Sequence, residues 1–310
     1  MIEARELTKR YGDKTVVDNL SFTVKPGEVT GFLGPNGAGK STTMRMIVGL
    51  DAPTKGSVTV NSKAYAKHSA PLQEIGTLLE AKSVHPGRSA LSHLSTLAAT
   101  HGIPRRRVDE VIELAGLTSV AGKRVGAFSL GMGQRLGIAS ALLGDPAIVM
   151  LDEPVNGLDP EGVLWVRNLL RSLADEGRAV MLSSHLMSET SLIADHLVII
   201  GRGRLLADTT VEDFTRQASG GGVKVASTEA AKLRTLLAGP DVTISSTSDE
   251  ELLVSGRDAR EIGAVAAQHG VALYELATQA VSLEAAFMDL TRDVVEYQSA
   301  PVDATERKAA

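Results

Sequence analysis

The chain has 310 residues, 43% of them hydrophobic, which is enough for two domains with buried cores and argues against a disordered protein. It contains no cysteine, which excludes disulfides and thiolate metal ligands and fits a reducing, cytoplasmic setting. The formal net charge of −5 shows none of the basic excess that nucleic-acid binders carry.

The opening MIEARELTKRYG has charges where a signal peptide needs an apolar core, so secretion is not expected. No run of about eighteen apolar residues appears, so work at a membrane would need another chain to span it. Over the first two hundred residues, short β-rich apolar runs alternate with helical patterns, predicting an α/β fold with a helix-covered sheet. EVTGFLG (28–34) and AIVMLDEP (147–154) read as buried strands followed by a glycine loop and an acidic turn. AVMLSS (179–184) reads as a further strand, and HLVIIGRGRLLA (196–207) as a hairpin about Gly201 and Gly203. Between the motif-bearing strands, residues 88–144 carry apolar positions at three-and-four spacing and predict an inserted helical subdomain.

The SGGG at 219–222 predicts a linker between a first domain, 1–218, and a second, 223–297. The second reads β-α-β-β-α-β, the order of a ferredoxin-like α+β module, and is followed by an amphipathic helix. Six Lys or Arg stand against eleven Asp or Glu in 223–295, a balance unsuited to holding nucleic acid. The polar segment 298–310 is expected to be a disordered tail.

GPNGAGKST, comprising Gly34, Pro35, Asn36, Gly37, Ala38, Gly39, Lys40, Ser41 and Thr42, fits G-x-x-x-x-G-K-S between a predicted strand and a predicted helix. Glycines let backbone N–H groups turn inward around phosphate oxygens, and the helix N-terminus adds to the attraction. Lys40 would reach the β- and γ-phosphates and Ser41 would ligate Mg²⁺. IVMLDEP then supplies Asp152 as the second Mg²⁺ ligand and Glu153 to polarise, or take the proton of, the attacking water. SLGMGQR, Ser129 to Arg135, reads either as an anion-binding loop or as a capped helix start, and taken alone it does not decide.

These motifs, with NGLD (156–159), SSH (183–185) and Tyr11 in KRYGDK, occur in the order found in the ATP-binding subunits of ABC transporters, which the chain resembles over roughly residues 2–216. The form IGTLLEA…P with SLGM downstream is most similar to the bacitracin and daunorubicin-type resistance exporters. The resemblance implies a P-loop NTPase cassette with ATP and Mg²⁺ as its ligands, a second, identical cassette and an integral membrane permease as partners, and a place on the cytoplasmic face of the membrane. It implies ATPase-driven efflux of an antibiotic, drug or lipid-like molecule.

By the same resemblance, Tyr11 stacks on adenine, His185 bridges the γ-phosphate and Glu153, and Asp159 acts across the dimer. Ser129, Leu130, Gly131, Met132 and Gln134 close over the nucleotide of the opposite cassette. Leu130 and Met132 depart from the usual glycine and glutamine, and Glu80 stands near the usual Q-loop glutamine, where it is a third candidate Mg²⁺ ligand. Residues 80–103 are the expected contact with the membrane subunit. The competing expectation is a soluble ABC-type ATPase acting on ribosomes or DNA, although neither a second P-loop nor sustained heptads occur.

Overall fold

Strand β1 (Ile2–Tyr11) buries Ile2, Ala4 and Leu7 and pairs antiparallel with β2 (Lys14–Val24). The alternation breaks where Glu6 and Asn19 take left-handed φ angles of 50° and 52° and the register shifts between Ala4 and Leu7. In this computed structural model, which describes residues 1–80, 84–218, 222–246, 248–278 and 283–292, packing separates two units. Of the described residues, one unit comprises Met1–Asp208 with Leu290, Thr291 and Arg292, and the other lies within Thr209–Asp289. That division lies upstream of the 218 boundary expected from sequence, since the Val211–Ala218 helix falls within the second unit. Residues 219–221 of the expected linker and the whole expected tail, 298–310, lie outside the described residues.

A six-stranded sheet belongs to the first unit, except for the last two residues of its final strand: β3 (Val29–Leu33), β5 (Ile75–Leu78), β6 (Ile148–Asp152), β7 (Ala179–Ser184), β8 (His196–Gly201) and β9 (Arg204–Thr210), in the order β5-β6-β7-β3-β8-β9. A separate three-stranded sheet has the order β2-β1-β4, with β4 spanning Lys55–Val60. Strands β3 and β7 are buried along their entire length, as parallel strands covered on both faces must be. The pairs β5–β6, β6–β7, β7–β3 and β3–β8 are all parallel. Their carboxyl ends therefore emerge along one edge, where open α/β sheets bind ligands. The turn joining β8 to β9 places Arg202 and Gly203 at φ 47° and 77°, the doubly left-handed geometry of a tight hairpin.

Helices Ala90–Thr100, Arg105–Leu114 and Leu130–Leu142 make up most of the insert between β5 and β6. Ser89 and Ser129 cap the first and third, accepting from the Ser92 and Met132 N–H groups at 3.1 and 3.2 Å. The third lies directly on β5. A Cβ on Gly76 would overlap the Ala141 carbonyl, and one on Gly137 would stand 2.5 Å from Leu78 Cδ1. Small residues thus set how closely this helix approaches the sheet.

In the second unit, β10 (Val223–Ala226), β11 (Thr243–Ser246), β12 (Glu251–Ser255) and β13 (Glu275–Thr278) form an antiparallel sheet in the order β11-β12-β10-β13. Helices Ala230–Leu237 and Ala259–Gln268 complete a β-α-β-β-α-β order. Its core unites Val223, Val225, Leu233, Leu252, Val254 and Ile262. A reciprocal capping box between Asp258 and Glu261 starts the second helix.

Gly76→Ala forces the Leu130–Leu142 helix off β5. Urea denaturation is expected to show a loss of about 3 kcal/mol, the scale of overpacking a closed contact.

Candidate active site

The edge formed by β3, β6 and β7 gathers the predicted chemistry. Beyond β3, residues Pro35–Thr42 line a cavity of about 270 Å³ together with Val16, Asp152 and Glu153. Gly37 and Gly39 take φ angles of 83° and 102°, and a Cβ on Gly34 would stand 2.5 Å from the Ile200 carbonyl. The hairpin turn braces this loop from outside: Gly203 N–H donates to the Ala38 carbonyl at 2.9 Å, and Asp18 N–H donates to the Gly203 carbonyl at 2.9 Å.

Lys40 opens the Lys40–Ile47 helix and is only 7% exposed. Its ammonium donates to the Gly34 carbonyl at 2.6 Å and the Pro35 carbonyl at 3.4 Å. Burial lowers its pKa from the ordinary lysine value, an effect opposed by the Glu153 and Asp152 carboxylates. A buried cation facing a glycine-walled cavity fits polyphosphate oxygens.

Asp152 ends β6 in register with Ser183 of β7. It accepts from Ser41 Oγ at 2.8 Å on one oxygen and from Ser183 Oγ on the other. Among the described residues no cluster of three or more His, Cys, Asp or Glu side chains is placed to hold a metal ion. One carboxylate beside one hydroxyl is the donor set of an ion that completes its shell with substrate phosphates and water, as Mg²⁺ does. Glu153 takes a left-handed φ of 48°, a strain of about 1–2 kcal/mol for a residue with a side chain. Its N–H donates to Ser183 Oγ at 3.1 Å, and both carboxylate oxygens lie 3.0 Å from His185 Nδ1. Ser183 joins the site beyond the residues expected from sequence; its signal is a hydroxyl at the end of the strand paired with the acidic one.

Residues 17–156 match the family described as ABC transporter, and residues 221–284 match a domain of unknown function, DUF8746. The uncharacterized ABC transporter ATP-binding protein YhcH of Bacillus subtilis is 36% identical over 299 residues, 96% of this chain and 97% of that protein. The chain belongs to the ABC transporter ATP-binding family. The bacitracin transport ATP-binding protein BcrA of Bacillus licheniformis is 44% identical over 220 residues, 70% of this chain and 72% of that protein. The linearmycin resistance ATP-binding protein LnrL of Bacillus subtilis is 33% identical, covering 94% of this chain and 98% of that protein. A solved ATP-binding subunit of an ABC transporter superposes with a TM-score of 0.64 at 28% identity, covering 70% of this chain and 92% of that one. The ABC cassette is an α/β P-loop NTPase that binds ATP, and it is an ATPase.

The cassette's remaining expected site residues do not line the cavity of the phosphate loop. Tyr11 is not among the residues lining its cavity: the hydroxyl donates to Asp51 at 3.1 Å and the Lys9 ammonium lies 4.8 Å from the ring centroid. Asp159 caps the Pro160–Asp175 helix, accepting from Gly162 N–H at 2.9 Å. Glu80 lines a neighbouring cavity whose wall includes Ser41 and Asp152. Ser129, Leu130 and Gly133 line a separate hollow with Val84 and Phe128. Gln134, expected to meet an opposite nucleotide, is 4% exposed in this chain and its amide donates to the Glu153 carbonyl at 3.0 Å.

Lys40→Ala removes the one cation buried in the loop. ATP affinity is expected to fall about 100-fold, the equivalent of nearly 3 kcal/mol of charge-assisted bonding, in an equilibrium fluorescence titration.

Proposed function

We propose that the cassette powers export of an antibiotic-like or lipid-like molecule as a homodimer docked on an integral membrane permease at the cytoplasmic face. The observation that carries the chemistry is the contact of Glu153 with His185 beside the Ser41–Asp152 pair, at the mouth of the loop that buries Lys40. The exporter reading draws support from the names of two relatives, bacitracin transport for BcrA and linearmycin resistance for LnrL. Among the described residues no helix is long and apolar enough to cross a membrane, which suits a subunit that works through a spanning partner.

In this reading Glu153 accepts the proton of a water that attacks the γ-phosphorus. The bond from the γ-phosphorus to the bridging oxygen breaks, giving ADP and phosphate. His185 holds the glutamate's orientation, and Lys40 neutralises charge on the leaving side. Ser41 and Asp152, with Glu80 nearby, would hold Mg²⁺, which supplies Lewis-acid neutralisation of the phosphates. Ser129, Leu130, Gly131 and Met132 would meet the nucleotide of the second copy, with the N–H groups at the capped helix start offered to its γ-phosphate. The second unit acts as a ferredoxin-like accessory module. ATP drives closure only by favouring the closed dimer over the open one.

Glu153→Gln is expected to cut ATP turnover by about 10²- to 10⁴-fold while leaving an ATP-dependent dimer detectable by light scattering. Near-normal turnover would falsify the general-base role. Affinity purification from solubilised membranes is expected to recover an integral membrane protein; recovery of ribosomes instead would favour the soluble class.

A further inference from the structure

The start of the Leu130–Leu142 helix touches Glu153 and the segment that follows it at three points. Gln134, buried in the second turn, donates its amide to the Glu153 carbonyl at 3.0 Å. One turn earlier, the Leu130 side chain lies against Gly157 so closely that a Cβ on that glycine would overlap it. Gly131 faces Leu158, whose Cδ2 would stand 3.3 Å from a Cβ there. The same helix is fixed on its other flank by Arg135, which donates to the Ala115 carbonyl at 3.2 Å and stacks its guanidinium 4.4 Å from the Trp165 ring centroid.

Glu153 holds a left-handed backbone, and its peptide groups are clamped from both sides, by Ser183 at the N–H and by Gln134 at the carbonyl. We propose that Gln134 is a positioning residue for Glu153 of its own chain, not a contact to the nucleotide bound by another. The amide fixes the backbone from which the carboxylate is aimed at His185. Because Ser129 and Gln134 share one helix, a nucleotide that engages Ser129 bears on the general base of the chain that offers Ser129. Leu130, where relatives of this family usually have glycine, gives that link its second foothold through Gly157. The inference rests on the general-base reading of Glu153.

The test is a double-mutant cycle in the full chain. Gln134→Met keeps the volume and removes the donor; Gln134→Leu also removes the donor without burying a charge and is used if the methionine variant misfolds. Either is expected to lower kcat about 10- to 100-fold, the scale of a misaimed catalytic group, with ATP affinity unchanged and with the loss persisting well below the melting temperature, which falls modestly because a buried carbonyl loses its donor. In a Glu153→Gln background the same change is expected to lower turnover no further and to leave the ATP-dependent dimer intact. Multiplicative losses, or a dimer weakened more than tenfold, would mean that Gln134 serves a bound nucleotide and would overturn the inference. If Glu153→Gln is inactive while both Gln134 variants turn over normally, the positioning role fails alone. If Glu153→Gln itself turns over normally, the general-base reading falls and takes this role with it.

Discussion

A lysine ammonium taken out of water has to find its neutralising partners in fixed positions, and the arrangement around Lys40 follows from that demand. Two loop carbonyls saturate part of its hydrogen-bonding capacity, while the nearby carboxylates Asp152 and Glu153 oppose the loss of its proton. Those carboxylates can stand there only if β6 runs parallel to its neighbours and ends at the same level. The β6–β7 register, pairing Asp152 with Ser183, does this. The sheet is thus a device for bringing one cation and two anions to a common edge.

The serine hydroxyls hold that edge together. Ser41 joins the phosphate loop to Asp152, and Ser183 joins β7 to both acidic residues, accepting from one and donating to the other. Ser41 is a short side chain on the cavity wall, where a longer one would fill the space, and Ser183 is fully buried behind it. The strain stored at Glu153 persists because partners on two different elements fix its peptide groups.

Strands β3, β6, β7 and β8 were legible as short, β-rich, mainly apolar runs, and the phosphate loop as glycines in a strand-to-helix setting. The hairpin at Gly203 could be read from its turn residues. The β2-β1-β4 sheet was not foreseen: β1 and β2 bury one face only, and the left-handed residues Glu6 and Asn19 interrupt the period of two. Gln134 illustrates a different limit. The motif resemblance assigned it to an opposite nucleotide, but motif order carries no information on the contacts the helix makes within its own chain. How closely that helix settles on β5 depends on Gly76, a residue far away in sequence.

The hairpin turn behind the phosphate loop bears on how a substrate arrives. Gly203 ties the loop at Ala38, and Lys40 already lies among the carbonyls of Gly34 and Pro35. An incoming triphosphate therefore meets a ready mould, and its capture is an exchange of oxygen partners around one ammonium group. With little ordering left to do, arrival is governed by diffusion, and the length of stay by how readily the carbonyls reclaim the lysine.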